Sequence, residues 1–125
     1  MMPYLVPTDF RYFYSATIYN VVDGDTVDAA IDLGFRIEWR QRWRLYGINT
    51  YEMNAADLRL RALAVEAKHT VEGLLGKQVI FRTHMDRADK YGRWLTIVHY
   101  QDIDGAWHVL NDELVAAGLA TVYLL

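Results

Sequence analysis

Gly34-Phe-Arg-Ile-Glu-Trp-Arg-Gln-Arg-Trp-Arg-Leu-Tyr-Gly47 alternates almost without fault. Phe35, Ile37, Trp39, Trp43 and Leu45 share one parity, interrupted only by Gln41, while Arg36, Glu38, Arg40, Arg42 and Arg44 share the other. A period of two held over roughly ten residues is the pattern of a β-strand with one face in a core. It predicts a long strand that stops where Gly47 turns the chain. Just beyond come Asn49, Thr50 and Glu52, so a guanidinium, an amide, a hydroxyl and a carboxylate gather at the end of a rigid element. Side chains in such places are held well enough to bind or to react. The plain alternative is a strand end carrying solvated charges.

Working outward, residues 12–22 are rich in β-branched and aromatic side chains and read as a first strand. Asp23-Gly24 follows, the dipeptide that suits a two-residue type I′ hairpin turn. The second strand places Val27, Ala29, Ile31 and Leu33 inward and Thr26, Asp28, Ala30 and Asp32 outward. Three consecutive strands make a meander, which brings Asp25 towards the end of the third. Over residues 55–75 the period changes: Leu60, Leu63, Ala64, Ala67, Val71 and Leu74 trace one face of a helix, with Gly76 placed to cap it. Residues 79–84 and 94–100 read as fourth and fifth strands, with a polar loop over 85–91 and a turn at 102–105. Asn111 suits an N-cap, and Asp112 and Glu113 suit the positive end of a short helix ending at Gly118. The fold predicted is mainly β with helices (α+β): a five-stranded barrel of the oligonucleotide/oligosaccharide-binding (OB) type. One helix lies between strands 3 and 4, and a short helix follows at the C-terminal end.

The 125 residues suffice for one domain, 1–125, with 1–11 as an N-terminal extension. Hydrophobic residues make up 53% and aromatics 14%, which allows a substantial core and rules out global disorder. With no cysteine, disulfides and thiolate metal sites are excluded, and any metal must sit on oxygen or imidazole. No signal-peptide pattern and no apolar run of membrane-spanning length occurs, so the expectation is a cytoplasmic protein with no membrane partner. The net charge of −3 argues against non-specific coating of nucleic acid but leaves room for a local basic cleft.

Asp25, an amide oxygen at Asn49 and a backbone carbonyl at Thr50 would make a hard-oxygen set suited to Ca²⁺. Arg44 and Arg93 are candidate phosphate clamps, because guanidinium pairs bidentately with phosphate oxygens. Glu52 is a candidate general base; its bland alternative is the first turn of the helix, where carboxylates are favoured. Asp23 is read as hairpin chemistry. The four histidines show no ligand spacing and are assigned to surface or strand packing, and the four tryptophans to the core. Lys90 and Tyr91 sit in a loop, where an aromatic could stack on a base and a lysine meet a phosphate.

Val21-Val-Asp-Gly-Asp-Thr-Val27, the stretch from Arg44 to Glu52, Asp89-Lys-Tyr-Gly-Arg93 and the stretch from Asn111 to Ala120 together resemble the staphylococcal nuclease (thermonuclease) family. The resemblance covers residues 12–123. It implies a five-stranded barrel and a Ca²⁺-dependent phosphodiesterase acting on DNA, RNA or both and leaving 3′-phosphate ends. It also implies roles. Asp25 and the Thr50 carbonyl look like metal ligands, Glu52 like the general base, and Arg44 and Arg93 like the pair that stabilises the transition state. Lys90 and Tyr91 look like nucleotide contacts. This sequence departs from the family at Asn49, where the second metal-ligand aspartate stands, and at Tyr51, where a proline is usual. Aromatic cover for the base is matched only around Tyr123. The rival reading is a non-catalytic OB-fold module that binds nucleic acid or protein, since a fold does not fix a function. A scaffold protein with no ligand ranks last.

Overall fold

The computed structural model describes residues 11–85 and 93–123. The predicted contacts Lys90 and Tyr91 lie outside them. Strands β1 (Phe13–Asp23), β2 (Thr26–Asp32) and β3 (Glu38–Leu45) form the antiparallel meander read from the sequence. After β4 (Ile48–Thr50) and helix α1 (Leu58–Glu72) come β5 (Gln78–Met85) and β6 (Trp94–Gln101). β5 pairs with both β1 and β6, and β6 returns to pair in parallel with β3 through Trp43↔Trp94, Arg44↔Leu95 and Leu45↔Thr96. That last pairing closes a ring of β1, β2, β3, β6 and β5, a five-stranded barrel consistent with an OB-fold. β7 (Trp107–Val109) pairs with His99, Tyr100 and Gln101 of β6, beyond the stretch that meets β3, helix α2 (Leu110–Ala116) follows at once, and β8 (Ala120–Val122) pairs with β4 in a separate ribbon.

Alternation explains the core. Ala16 and Ile18 of β1, Val27, Ala29 and Ile31 of β2, Trp43 and Leu45 of β3, Val79 and Phe81 of β5 and Val98 of β6 point into the ring and are buried. Trp43 meets Phe81 edge-on at 5.5 Å between ring centroids. α1 is capped by Asp57, whose side chain accepts the backbone N–H groups of Arg59 and Leu60, and it lays Ala64, Ala67 and Val71 on the barrel. Among the described residues no helix is long and apolar enough to cross a membrane.

Several local expectations give way. Phe35 is 95% exposed and Ile37 and Leu33 are also exposed, because β2–β3 pairing ends at Asp32↔Glu38. Gly34, Phe35 and Arg36 beyond it all take positive φ, so the strand's parity is not carried into the hairpin tip. Of the tryptophans, Trp43 is buried, Trp39 and Trp94 pack beside it, and Trp107 is 59% exposed on the outer strand β7. α1 ends at Glu72 with Gly73 at its cap; Gly76 sits further on and donates its N–H to the Ile18 carbonyl.

Asn111 is not an N-cap. Val109 holds that position without a side-chain bond, and Asn111 lies inside α2, 3% exposed. Its Oδ1 accepts the Val98 N–H at 3.0 Å, and its Nδ2 donates to the carbonyls of Tyr46 at 2.9 Å and Thr96 at 3.1 Å. One amide thus ties α2 to β6 and to the turn that leaves β3. An unpaired buried polar group costs about 1–3 kcal/mol. Asn111→Ala removes the side-chain partner of the Val98 N–H and the Tyr46 carbonyl and one of two donors to the Thr96 carbonyl, and should therefore lose about 2–4 kcal/mol in urea denaturation. Stability equal to the parent protein would contradict this role.

Candidate functional site

A polar cavity of about 370 Å³ opens where β1, β3 and β4 end and β2 begins, and Arg93 reaches it from the chain just before β6. Asp25, Arg44, Asn49, Thr50, Glu52 and Arg93, six of the eight residues singled out from the sequence, all line it. Asp23, Thr26 and Tyr51 complete the lining.

The hairpin between β1 and β2 positions Asp25. Asp23 pairs with Thr26, so the two turn residues are Gly24 and Asp25 rather than Asp23 and Gly24. Gly24 does not take positive φ, which excludes the type I′ turn expected. A different constraint selects glycine here. A Cβ at Gly24 would stand 2.7 Å from Ala67 Cβ and 2.9 Å from Thr50 Cγ2, so only glycine lets the turn press against α1 and β4. Asp23 Oδ1 accepts the Asp25 N–H at 3.1 Å, and the Asp25 carbonyl accepts the Leu45 N–H at 2.8 Å, fixing the turn to β3.

Asp25 is 8% exposed, and both of its carboxylate oxygens are hydrogen-bonded. Its Oδ2 accepts Arg44 Nη1 at 3.3 Å and the Thr50 N–H at 3.1 Å, and its Oδ1 accepts the Thr26 hydroxyl at 3.1 Å. Burial alone would raise its pKa, but the Asp23 hydrogen bond, the Arg44 charge and the Thr50 N–H outweigh it and hold the carboxyl below its ordinary 3.8. Asp23 moves the other way, pushed up to about 6 by burial and by the hydrogen bond and charge of Asp25. Two neighbouring carboxyls of which only one meets a guanidinium divide in this way: the group beside the cation stays ionised and the other keeps its proton longer.

Arg44 Nη2 donates to the Ile48 carbonyl at 3.0 Å and to Asn49 Oδ1. With the bond to Asp25, three of the five guanidinium N–H groups are in use and two remain. The Tyr123 ring lies 5.9 Å from the Arg44 guanidinium carbon and is 44% exposed. Arg42, one strand period earlier, is spent differently: its Nε and Nη2 bind the Asp28 carboxylate at 2.8 and 3.2 Å. Glu52 is exposed and lies five positions before the Asp57 cap, outside α1, so a helix start does not account for it.

The donors are all hard oxygens, which fits Ca²⁺ in kind: the carboxylates of Asp25, Asp23 and Glu52, the Thr50 carbonyl and the Asn49 amide. Asn49 fits least, because its oxygen already accepts Arg44. Among the described residues no three His, Asp or Glu side chains converge in a metal-binding arrangement. Sequence reasoning passed over Asp23 as turn chemistry. The Asp-x-Asp spacing across a tight turn was the available signal, since it leaves both carboxylates at one strand end. A larger groove of about 620 Å³, mostly apolar, lies elsewhere, with Ile48 and Val122 in its wall. Its lining shares no residue with that of the polar cavity, so the larger space is not the one where the charged groups gather.

A search of curated proteins finds no match to the chain. Among protein families, residues 42–125 match the staphylococcal nuclease homologue. The match begins two residues before Arg44 and runs through Asn49, Thr50, Glu52 and Arg93, while Asp25 joins them only through the barrel. With more than half of its length matched and a closed five-stranded barrel beneath the cavity, this chain belongs to the staphylococcal nuclease homologue family.

Proposed function

We propose that the chain is a metal-dependent phosphodiesterase that hydrolyses DNA, RNA or both and leaves 3′-phosphate ends. The observation carrying this reading is that Asp25, Arg44, Glu52 and Arg93, drawn from three separate stretches of sequence, line one polar cavity in a member of a nuclease family. Asp25, the Thr50 carbonyl and Asn49 would hold Ca²⁺, which when bound supplies Lewis-acid polarisation of the phosphate. Arg44, held by Asp25, Ile48 and Asn49, presents its remaining N–H groups to non-bridging oxygens, and Arg93 meets the same phosphate. Both act most strongly where charge builds on those oxygens, so they stabilise the transition state more than the bound substrate. Glu52 accepts the proton of the attacking water. The water oxygen bonds to phosphorus as the bond to the in-line 5′ oxygen breaks, and that oxygen leaves with a proton taken from solvent. Lys90 and Tyr91 are assigned to the nucleotide beside the scissile bond.

The competing reading, a binding module without catalysis, draws on one feature. Arg44 already holds Asn49 Oδ1, so the amide must exchange a cationic partner for a metal ion. Mutational kinetics separate the two. Arg44→Ala and Arg93→Ala should each slow turnover by ~10²–10³, the usual loss for one preorganised donor. Arg42→Ala removes only a pair with Asp28 on the outer face and should leave turnover nearly unchanged. Equal losses at Arg42 and Arg44 would mean that a general basic face is being measured and would sink the assignment.

Glu52→Gln should lower kcat while leaving substrate affinity close to that of the parent, because it removes a proton acceptor and keeps the shape. Steady-state kinetics on a short oligonucleotide would check this. A raised KM with kcat intact would make Glu52 a binding residue instead.

A further inference from the structure

A second cluster of titratable groups lies outside the cavity. His108 of β7 has carboxylates at both edges of its ring: Nε2 is 2.7 Å from Asp102 Oδ2, and Nδ1 is 2.7 Å from Glu113 Oε2. Asp102 belongs to the turn between β6 and β7, and Glu113 to the first turn of α2. The ring lies almost flat on Tyr100, its cross-strand partner in β6, at 5.1 Å and 14°. Tyr100 in turn donates its hydroxyl to Glu113 Oε1. Asp102 is held by its own turn, since its Oδ1 accepts the N–H groups of Asp104 at 2.8 Å and Ala106 at 3.0 Å. The groups facing the imidazole are therefore Asp102 from the turn, Tyr100 from β6 and Glu113 from α2.

This geometry makes a chemical demand. A neutral imidazole carries one N–H, and its other nitrogen offers a lone pair. Only the imidazolium can donate to two carboxylates at once. We propose that Asp102, His108 and Glu113 form a proton-operated latch that ties the β6–β7 turn to α2 while His108 carries both protons and loosens α2 when one is lost. The latch bears on the fold through Asn111, two residues before Glu113, which holds the carbonyls of Tyr46 and Thr96. A looser α2 relaxes the turn that leads to Asn49 and Thr50. None of this depends on the chain being a nuclease.

The electrostatics agree. The Asp102 and then the Glu113 hydrogen bonds raise His108 above its ordinary 6.5, and the His108 bond lowers Asp102 below 3.8. Tyr100 is pushed up to about 12, first by burial and then by Glu113, so it remains a donor throughout the neutral range. A cation whose pKa is raised on folding contributes its full stabilisation below the unfolded-state value and loses it as pH rises through the folded value. Asp102 sets the acid limit in the opposite sense. The latch is therefore closed from mildly acidic pH up to the folded pKa of His108 and opens above it.

The test combines imidazole titration by NMR with hydrogen exchange of the α2 amides, read as the ratio of protection in the parent protein to that in His108→Gln at each pH. The expected midpoint for His108 lies above 6.5, and the protection ratio should fall by about two- to fivefold across it, the worth of an exposed ion pair. A midpoint at or below 6.5, or a ratio flat across the titration, would overturn the latch. Should His108→Gln fail to fold, Asp102→Asn and Glu113→Gln serve instead. Each should lower the His108 midpoint, and a midpoint unmoved by both rejects the proposal.

Discussion

The parallel pairing of β3 with β6 is the constraint on which the rest of the molecule depends. Without it the meander and the β5–β6 hairpin would form an open, twisted sheet with two free edges. With it, the Arg44 backbone is locked against Leu95, and the chain leaving β3 is held to β6 by the Tyr46 N–H on the Thr96 carbonyl at 2.8 Å. Asn111 seals the same junction from the other side. Closure therefore does two things: it buries the inward stripe of five strands, and it brings Arg93, at the entrance to β6, to the cavity that Arg44 lines at the end of β3.

Within that frame the Asp25–Arg44 pair is better understood as a positioning device than as a source of stability. Both side chains are largely withdrawn from water, 11% and 15% exposed, and desolvating such a pair offsets most of its Coulombic attraction. What the pair provides is a fixed guanidinium. Asp25 is itself fixed by the Thr50 N–H, the Thr26 hydroxyl and a turn that approaches α1 only because residue 24 lacks a side chain. Asn49 fits this arrangement: it gives Arg44 an acceptor without adding a further negative charge to the carboxyls of Asp23 and Asp25. A metal at this site would consequently meet less fixed negative charge than it would with an aspartate at position 49, and ligand charge is one of the main controls on Ca²⁺ affinity.

Much of this was legible beforehand because the signals involved are long. Period two through β2 and β3 and period three-to-four through α1 each repeat enough to outweigh a local exception. The places that were not legible share physical causes. β4, β7 and β8 are three residues each, too short for a period to register. Phe35 and Ile37 continued the β3 alternation on paper, but alternation means something only while the strand is paired, and pairing stops at Glu38. Asn111 looked like a cap because its local surroundings suit one, yet its amide found tertiary partners in Val98, Thr96 and Tyr46 that no local rule anticipates. His108 was hidden for the same reason, since its partners lie six residues before it and five after, on two other elements. The cavity was the easier target. Its residues cluster at strand ends, and the meander alone placed Asp25 near Arg44.

The central claim is that this cavity cuts phosphodiester bonds with the help of a metal ion. It is tested most directly by incubating the protein with end-labelled single-stranded DNA and RNA, with Ca²⁺ and with chelator, and identifying the new ends. The account predicts cleavage in Ca²⁺, products bearing 3′-phosphate, and no cleavage in chelator. Undiminished cleavage in chelator would contradict the metal mechanism, and tight binding of either strand without cleavage under any condition would contradict catalysis itself.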